Sequence, residues 1–450
     1  MSHRTTNQNL IFIQIKNFEL FSRTLNNLKN LRGTVDLLPD QLIKWQNVEK
    51  ILLEQLSRAS IKEIRTPILE MTELFIRGIG EGTDVVSKEM YTFLDRGERS
   101  CTLRPEGTAS VARALIQSGI SSNSLQKLWY MGPMFRYERP QAGRQRQFHQ
   151  LGVEFIGYES VRSDVEIIAL AWDILEKLGI KELNLEINTL GDLNDRLNFQ
   201  KSFLKWLEIN KNSLDLDSQN RINKNPLRIL DSKNIHTKKV LENAPRLFNF
   251  LSEKSHKRYS DLKKQLEVLK IPYVENFNLV RGLDYYTHTA FEITSGALGS
   301  QATVCGGGRY DDLIKQMGGP NSPAMGFAIG LERLILLAGK DLEVPRNTDI
   351  YIINQGLIAE PLAIDLSRKL RNYDLLVELD LSGASLSKQF KKANKLKSKS
   401  IIVIGDDEAA NKEFIIRLFD KSSDENKEEV ISFENDIKLE NWLNNYLVLK

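Results

Sequence analysis

The chain has little cysteine. Of its 450 residues only Cys101 and Cys305 are cysteines, far apart and in unrelated segments. Neither a disulfide framework nor a four-ligand zinc site is expected, and a reducing compartment fits. Its five histidines (His3, His149, His236, His256 and His288) show no metal-ligand spacing such as His-Glu-x-x-His. No run of ~18 apolar residues exists, so no membrane span is expected. Leu10-Ile11-Phe12-Ile13 is too short for the apolar stretch of a secretion signal and lacks a small-residue cleavage site. A large excess of one charge is also missing: the net charge is +3. That balance neither demands nor excludes nucleic acid, and any RNA-binding surface must be local. The glycine run Cys305-Gly306-Gly307-Gly308-Arg309-Tyr310-Asp311 lacks the Gly-Lys-Ser/Thr ending of a Walker A loop. Gly78-Ile79-Gly80-Glu81-Gly82 likewise fails the dinucleotide pattern, and there is no internal repeat.

What is present is ordinary globular composition, 41% hydrophobic and 27% charged, in a chain long enough for about two to four domains. Residues 1–30 are acid-poor, with Glu19 against Arg4, Lys16, Arg23 and Lys29. They read as a disordered extension, with an organellar transit peptide or an early start codon as alternatives. Gly33 to Asp40 forms a turn, and 41–58 reads as an amphipathic helix through Trp45, Val48, Ile51, Leu52 and Leu56. Short strands alternate with loops from 60 to 160. A helix is predicted over 164–178, ending at Gly179, and a strand over 183–189. Residues 193–273, rich in Asn, Lys, Ser and Leu, have helical period and read as an inserted module. Strand and glycine signals return over 278–330. After a break at Val344-Pro345-Arg346-Asn347 come a strand (349–354), a helix (358–371), a strand (375–379), a Lys-rich helix (385–397), a strand (401–405) and a helix (434–446). That alternation predicts a small α/β domain with a largely parallel sheet.

Four segments carry chemistry. In Phe135-Arg136-Tyr137-Glu138, strand alternation puts Arg136 and Glu138 on one face; in 148–157 it groups Phe148, Gln150, Gly152 and Glu154. Unpaired charges are costly to bury, so this face suits the wall of a polar ligand site better than a core. A solvated face with surface ion pairs explains it less well. The joining loop, Arg139-Pro140-Gln141-Ala142-Gly143-Arg144-Gln145-Arg146-Gln147, has three arginines and no acid. It suits phosphate and base edges, although a solvated basic hairpin is the more frequent case. In Leu103-Arg104-Pro105-Glu106-Gly107-Thr108, Glu106 and Thr108 suit an ammonium group or, equally, a plain helix start. Leu279-Val280-Arg281-Gly282-Leu283-Asp284-Tyr285-Tyr286 suits a carboxylate and a polar ring. In Gly326-Phe327-Ala328-Ile329-Gly330-Leu331-Glu332-Arg333-Leu334, Arg333 sits in a first helical turn, where a cation is disfavoured unless an anion binds or an acid pairs with it.

Together these segments resemble the class II aminoacyl-tRNA synthetases, and among them the histidine enzymes. Phe135 through Glu154 is similar to motif 2, Gly326 to Leu334 to motif 3, and the surroundings of Pro67 to motif 1. Arg281 to Tyr286 and Gly306 to Tyr310 resemble the two histidine-specific signatures, and the likeness covers about residues 31–450. The resemblance implies an α+β fold: a catalytic core on an antiparallel sheet over 31–342, a helical insertion over 193–273, and a C-terminal α/β anticodon-binding domain over 346–450. It implies ATP-dependent activation of L-histidine with Mg²⁺ and transfer to tRNA(His) by a cytoplasmic homodimer. Arg136 and Arg281 would be catalytic. Glu106, Gly107, Thr108, Gln150, Glu154, Tyr285, Tyr286 and Tyr310, with those arginines, would bind histidine. Arg136, Glu138, Phe148 and Arg333 would bind ATP; Arg139, Gln141, Arg144 and Arg146 would meet the tRNA acceptor end. No dedicated metal-ligand cluster is expected. A synthetase-like regulatory subunit of ATP phosphoribosyltransferase is the alternative; such proteins typically lack the last domain. Lys395 to Ser400 faintly echoes the Lys-Met-Ser-Lys-Ser loop of class I synthetases, but without a His-Ile-Gly-His partner it reads as a solvated helix end.

Overall fold

The structure is a computed structural model. It describes residues 29–447 other than 122–123, 142, 224, 233, 281–282, 284, 298–302, 340–341, 343–346 and 419–426, and only the backbone of residue 231. The expected extension therefore lies almost wholly outside the described residues, as does most of the break at 344–347. The chain divides into two units, Met1–Glu343 and Val344–Lys450. Among the described residues no helix is long and apolar enough to cross a membrane.

The first unit holds eleven strands among its described residues: β1 (Lys62–Glu63), β2 (Leu69–Met71), β3 (Tyr91–Leu94), β4 (Ser100–Leu103), β5 (Gln126–Phe135), β6 (Gln147–Ile156), β7 (Leu183–Thr189), β8 (Tyr273–Glu275), β9 (Thr287–Ser295), β10 (Thr303–Arg309) and β11 (Ala324–Gly330). Eight form one sheet in the order β1-β5-β6-β11-β10-β9-β7-β8, and β2-β4-β3 form a small second one. The six central strands are antiparallel; the edge strands β1 and β8 run parallel to their neighbours.

One face of the large sheet is buried. Leu151, Val153 and Phe155 of β6, Phe327 and Ile329 of β11, and Phe291 and Ile293 of β9 pack against helix Val161–Lys177. That helix starts where the Ser160 side chain accepts from Arg162 N, and it stops before Gly179 at φ +72°. Its Ile167, Ile168, Ala171, Ile174 and Leu175 are fully buried, at about 1.5–3 kcal/mol for each large side chain. Helix Pro39–Arg58 adds Trp45, Val48, Leu52 and Leu56 to the same core. Inside the stretch 193–273, a separate cluster forms from Phe199, Phe203, Leu207, Leu214, Ile222, Ile229, Leu247 and Leu251. The stretch's last helix, Glu253–Val268, instead sends Tyr259, Leu262 and Leu266 into the main core, so the independent core is narrower than the helical texture suggested.

The second unit is a five-stranded sheet in the order β13-β12-β14-β15-β16, built from β12 (Ile350–Gln355), β13 (Val377–Leu379), β14 (Ser400–Gly405), β15 (Glu413–Leu418) and β16 (Glu428–Ser432). Helices Ala359–Arg371 and Asp436–Tyr446 share one core with it, and helix Leu386–Lys395 covers Tyr351, Ile353 and Ile401. The three strands read from the sequence are parallel, as expected, but β15 and β16 pair antiparallel. The sheet is thus mixed rather than largely parallel. Edge strand β16 buries only Ile431, which leaves a weak apolar signal. Lys395 ends a helix, Lys395, Leu396, Lys397 and Lys399 are exposed, and Ser400 opens β14, so the segment is the solvated helix end that the sequence suggested.

A buried ionic network joins the sheet to its helices. Asp164, with no exposed surface, accepts from Arg309 Nε at 3.0 Å and from Arg309 Nη2, from Arg258 Nη2 at 3.0 Å and from Thr289 Oγ1 at 2.6 Å. Arg309, equally buried, also donates to Tyr158 O (3.0 Å), Asp311 Oδ1 (2.9 Å) and Ser163 Oγ (2.8 Å). Removing one partner of such a pair strands the other charge. Arg309→Met is expected to lower the unfolding free energy by about 3–5 kcal/mol, read from urea denaturation. A loss no larger than that of a surface substitution would mean the network contributes little.

Candidate active site

In an antiparallel pair, directly opposed side chains stand on the same face of the sheet. Across β5, β6, β11, β10 and β9, register lines up Tyr130, Gly152, Ala328, Gly306 and Glu292 in one row. The neighbouring row is Leu128, Glu154, Gly326, Gly308 and Ala290. The middle strands thus offer glycine and alanine where the flanking strands carry Tyr130, Glu154 and Glu292. The result is a trough, part of a cavity of about 340 Å³. Small residues are obligatory here. A Cβ at Gly326 would fall on Glu154 Oε2, and one at Gly152 or Gly107 on the Tyr130 ring.

One set of groups in the cavity is acidic and hydroxylic. Glu154 is 1% exposed; Oε1 accepts from Thr108 Oγ1 at 2.7 Å and Oε2 from Tyr310 Oη. Burial pushes its carboxyl up to about 8, with the two hydroxyls pulling the other way and Glu106 adding repulsion. In the empty site Glu154 is therefore mostly neutral at pH 7, and it ionises readily beside an incoming N–H or cation. Glu106, also buried, accepts from Thr108 N at 2.7 Å and Ala109 N at 2.9 Å, so it caps helix Thr108–Gln117. Both sequence readings of Glu106 remain compatible, because a carboxylate has about four acceptor sites and the cap uses two. Tyr285 and Tyr286 are buried together, ring centres 4.7 Å apart, with Tyr310 at 5.5 Å from Tyr285. Gln150 lines the cavity, and its Oε1 is buried with no hydrogen-bond partner among the described residues. Such an atom is costly unless something arrives to pair with it.

A second set is cationic. Arg136 donates from Nε to Pro105 O at 2.8 Å and lies 5.3 Å from the Phe148 ring centre. Arg144 pairs with Glu138 at 3.1 Å; Glu138 also lies 3.9 Å from Arg136. Arg333 donates to Thr303 O at 2.6 Å and Gly143 O at 3.4 Å. Burial and the charges of Arg144 and Arg136 lower its pKa, against Glu138 and Glu292. These three guanidiniums line the same cavity, and such a group suits an anion.

The structure separates some residues that the sequence grouped. In the loop after Glu138, Arg139 and Gln141 are exposed, but Arg144 turns into the cavity. Arg146 packs inward: its N donates to Gly33 O at 2.7 Å and its guanidinium lies 3.7 Å from the Tyr137 ring centre. The four residues are not one basic face. Arg281, Gly282 and Asp284 lie outside the described residues, while their neighbours Val280 and Leu283 line the cavity. Two residues were missed. Tyr130 fills the space left by Gly107 and Gly152, and only strand pairing reveals that. Glu332 accepts from His149 N at 2.8 and 3.0 Å and from Nδ1 at 3.1 Å, locking β6 to helix Leu331–Leu337. Among the described residues no three His, Cys, Asp or Glu side chains are grouped to hold a metal ion.

The Glu154 shift sets a pH dependence. A carboxyl raised on folding binds a proton more tightly in the folded state. Its stabilising contribution is complete below the ordinary carboxylate range, near 4.5, and is lost as pH rises through about 8. The ligand-free wild type is expected to lose thermal stability between about pH 5 and 8, and Glu154→Gln to lose less over that interval. Parallel melting-temperature profiles for the two proteins would refute the shift.

Comparison with known proteins gives the family. Residues 33–334 match the family described as histidyl-tRNA synthetase, and residues 349–438 match the anticodon binding domain. A protein of Prochlorococcus marinus named Histidine--tRNA ligase is 91% identical over 426 residues, covering 95% of this chain and all of its own. The crystal structure of apo Staphylococcus aureus histidyl-tRNA synthetase superposes with a TM-score of 0.75 at 37% identity, over 93% of this chain and 100% of that one. A Bacillus halodurans structure described as an ATP phosphoribosyltransferase regulatory subunit/histidyl-tRNA synthetase reaches 0.60 at 23% identity, over 84% of this chain and 98% of that one, and shares the fold. With one family spanning two thirds of its length and a near-identical relative spanning nearly all of it, the chain belongs to the histidyl-tRNA synthetase family.

Proposed function

We propose that this chain activates L-histidine with ATP and transfers the histidyl group to the 3′ end of tRNA(His). The observation that carries the reading is that one cavity is lined by two different sets of groups. Glu154, Thr108, Tyr310 and Gln150 supply hydrogen-bonding groups for a small polar ligand, and Arg136, Arg144 and Arg333 supply charge for a polyphosphate. Histidine's carboxylate attacks the α-phosphate of ATP, displacing pyrophosphate and leaving histidyl-adenylate. A ribose hydroxyl of the terminal tRNA nucleotide then attacks the acyl carbonyl, and AMP leaves. Neither step needs a protein nucleophile, so catalysis is positioning and stabilisation of charge on phosphate oxygens.

In this reading Arg136 and Arg281 bind the α-phosphate region, Phe148 stacks on adenine, and Glu138 and Arg333 complete the nucleotide site. Gln150, Glu106 and Thr108 take the α-amino group, with Gly107 at the helix start. Glu154 and Tyr286 bind the two imidazole nitrogens, with Tyr285 and Tyr310 behind them. Mg²⁺ would be carried by the triphosphate oxygens and would offset part of their charge. Arg139 and Gln141 face outward to meet the acceptor end, with Arg144 and Arg146 shaping that loop. Residues 31–342 form the catalytic domain, 193–273 its insertion, and 346–450 the anticodon-binding domain of a cytoplasmic homodimer. A regulatory role in ATP phosphoribosyltransferase is less favoured, because such subunits typically lack the last domain and residues 349–438 here match one.

The first test is ATP–pyrophosphate exchange with each amino acid in turn. Exchange dependent on histidine alone is the expected result; no histidine dependence would sink the reading. Within it, Glu154→Ala is expected to raise the histidine KM steeply, by about tenfold or more for a lost charge-assisted hydrogen bond, with the ATP KM within twofold. An unchanged histidine KM would mean that Glu154 does not read the imidazole.

A further inference from the structure

The first helix of the inserted stretch, Leu193–Asn210, starts on a firmly fastened turn. The Asp192 side chain accepts from Asp195 N at 2.9 Å, and the Asp195 carboxylate accepts in return from Asp192 N at 3.1 Å. Asp195 is buried and also takes Ser252 N at 2.8 Å and Ser255 Oγ at 2.5 Å, at the start of helix Glu253–Val268. A Cβ on Gly191, at φ +61°, would meet the Asp195 side chain at 2.6 Å. The chain leading into the helix is joined to β9: His288 N donates to Gly191 O at 2.7 Å, and Leu190 N donates to His288 O at 2.6 Å. This helix start cannot shift without breaking contacts to β9 and to helix Glu253–Val268.

Arg196 reaches from that turn to the tyrosine pair. Its Nη1 donates to the Tyr286 carbonyl at 2.7 Å. Tyr286 is the last residue before β9, and its buried side chain lines the cavity. The ring is bounded on two sides, by the Tyr285 ring centre at 4.7 Å and by Gly308, where a Cβ would come within 2.8 Å of it. Two residues on, His288 has φ +45°, so the backbone leaves the extended region just inside the strand. A charge-assisted bond from the guanidinium fixes the peptide between Tyr286 and Thr287 immediately ahead of that irregularity. It thereby fixes the direction in which the Tyr286 side chain leaves the backbone.

We infer that Arg196 is a positioning residue for amino-acid recognition: anchored by the turn at 192–195, it holds the Tyr286 carbonyl so that the Tyr286 hydroxyl meets an imidazole nitrogen of histidine. The inference rests on the synthetase reading above, in which Tyr286 binds that ring. Arg196 itself does not touch the substrate; it acts through the Tyr286 backbone. A misplacement of about 1 Å is enough to forfeit most of the value of such a contact. The effect belongs to histidine rather than to ATP. The nucleotide groups Arg136, Glu138, Phe148 and Arg333 stand on or next to β5, β6 and helix Leu331–Leu337, not on the segment that Arg196 holds.

The test is ATP–pyrophosphate exchange by the full-length enzyme, with histidine and ATP titrated in turn and active sites counted by the burst of adenylate formation. Arg196→Met keeps an apolar stem and loses the donors. Its histidine KM is expected to rise about tenfold, with the ATP KM within about twofold and kcat per active site within about threefold. Arg196→Lys, which keeps one charged donor on a shorter reach, should raise the histidine KM less. Tyr286→Phe should raise it too, and Arg196→Met should add less than about twofold in that background, because the hydroxyl it positions is gone. A merely structural role would lower the count of active sites and the melting temperature while leaving the histidine KM of the remaining sites unchanged, and that result would overturn the inference. Equal rises in both KM values, or full additivity of the two substitutions, would overturn it as well. If Arg196→Met does not fold, Arg196→Lys carries the same comparison: a rise confined to histidine supports the inference, and no rise overturns it. An unchanged histidine KM in Tyr286→Phe would remove the role of Tyr286 and the inference with it. Absence of histidine-dependent exchange in the wild type would instead remove the synthetase reading itself.

Discussion

The site depends on a charge pair that never touches a ligand. Arg309 closes β10 and is held inward by Asp164, by Asp311 and by the Tyr158 carbonyl. The pairing of β10 with β9 shifts register between Gly308 and Arg309. Strand alternation lets consecutive residues serve opposite purposes: Gly308 admits the Tyr286 ring at close range, Arg309 anchors the strand in the interior, and Tyr310 delivers its hydroxyl to Glu154. Asp164 also takes Arg258 from helix Glu253–Val268 and Thr289 from β9. Four elements thus converge on one carboxylate. Burying two ions is costly, and here the Arg309 guanidinium donates from all three of its nitrogens and Asp164 accepts on both oxygens, the condition under which such a pair is tolerated.

Glu154 shows the opposite arrangement. It is just as buried, but its partners are two neutral hydroxyls rather than a cation. The same desolvation that Asp164 overcomes with two arginines leaves Glu154 neutral at pH 7. One buried acid is ionised and structural, the other protonated and incomplete. An incomplete polar group facing a cavity is what a ligand with a complementary N–H would complete, and Gln150 Oε1 is in the same condition a short distance along β6.

Much of this was legible from the residues. The period-two pattern in 148–154 placed Gln150 and Glu154 on one face, and they line one cavity. Helix 164–178 and strand 183–189 were visible because their apolar spacing is decisive locally. What stayed hidden depends on pairing between strands. Tyr130 gives no signal of its own, because its importance comes from Gly107 and Gly152 across space. The basic loop looked like one surface, yet its arginines go three ways: Glu138 takes Arg144, Tyr137 and Gly33 take Arg146, and Arg139 stays exposed. Strands β15 and β16 were overlooked because the second buries a single apolar side chain.

The glycines explain why the trough keeps its shape when empty. A strand rich in glycine is entropically expensive and would ordinarily weaken a sheet. Here Gly306, Gly307 and Gly308 sit in a central strand, hydrogen-bonded on both sides, and flanked by Phe291 and Phe327 beneath Gly307. Central placement and the apolar face below supply the stability that the upper face gives up. The upper face packs a second apolar cluster, with the Tyr130, Tyr286 and Tyr310 rings around the hollow and no bulk rising from the glycines between them. A ligand meets a floor of backbone with functional side chains only at its edges, so binding orders few rotatable groups. That lowers the entropic cost of holding two reactants and a nucleic-acid end in one place, which a reaction driven by positioning requires.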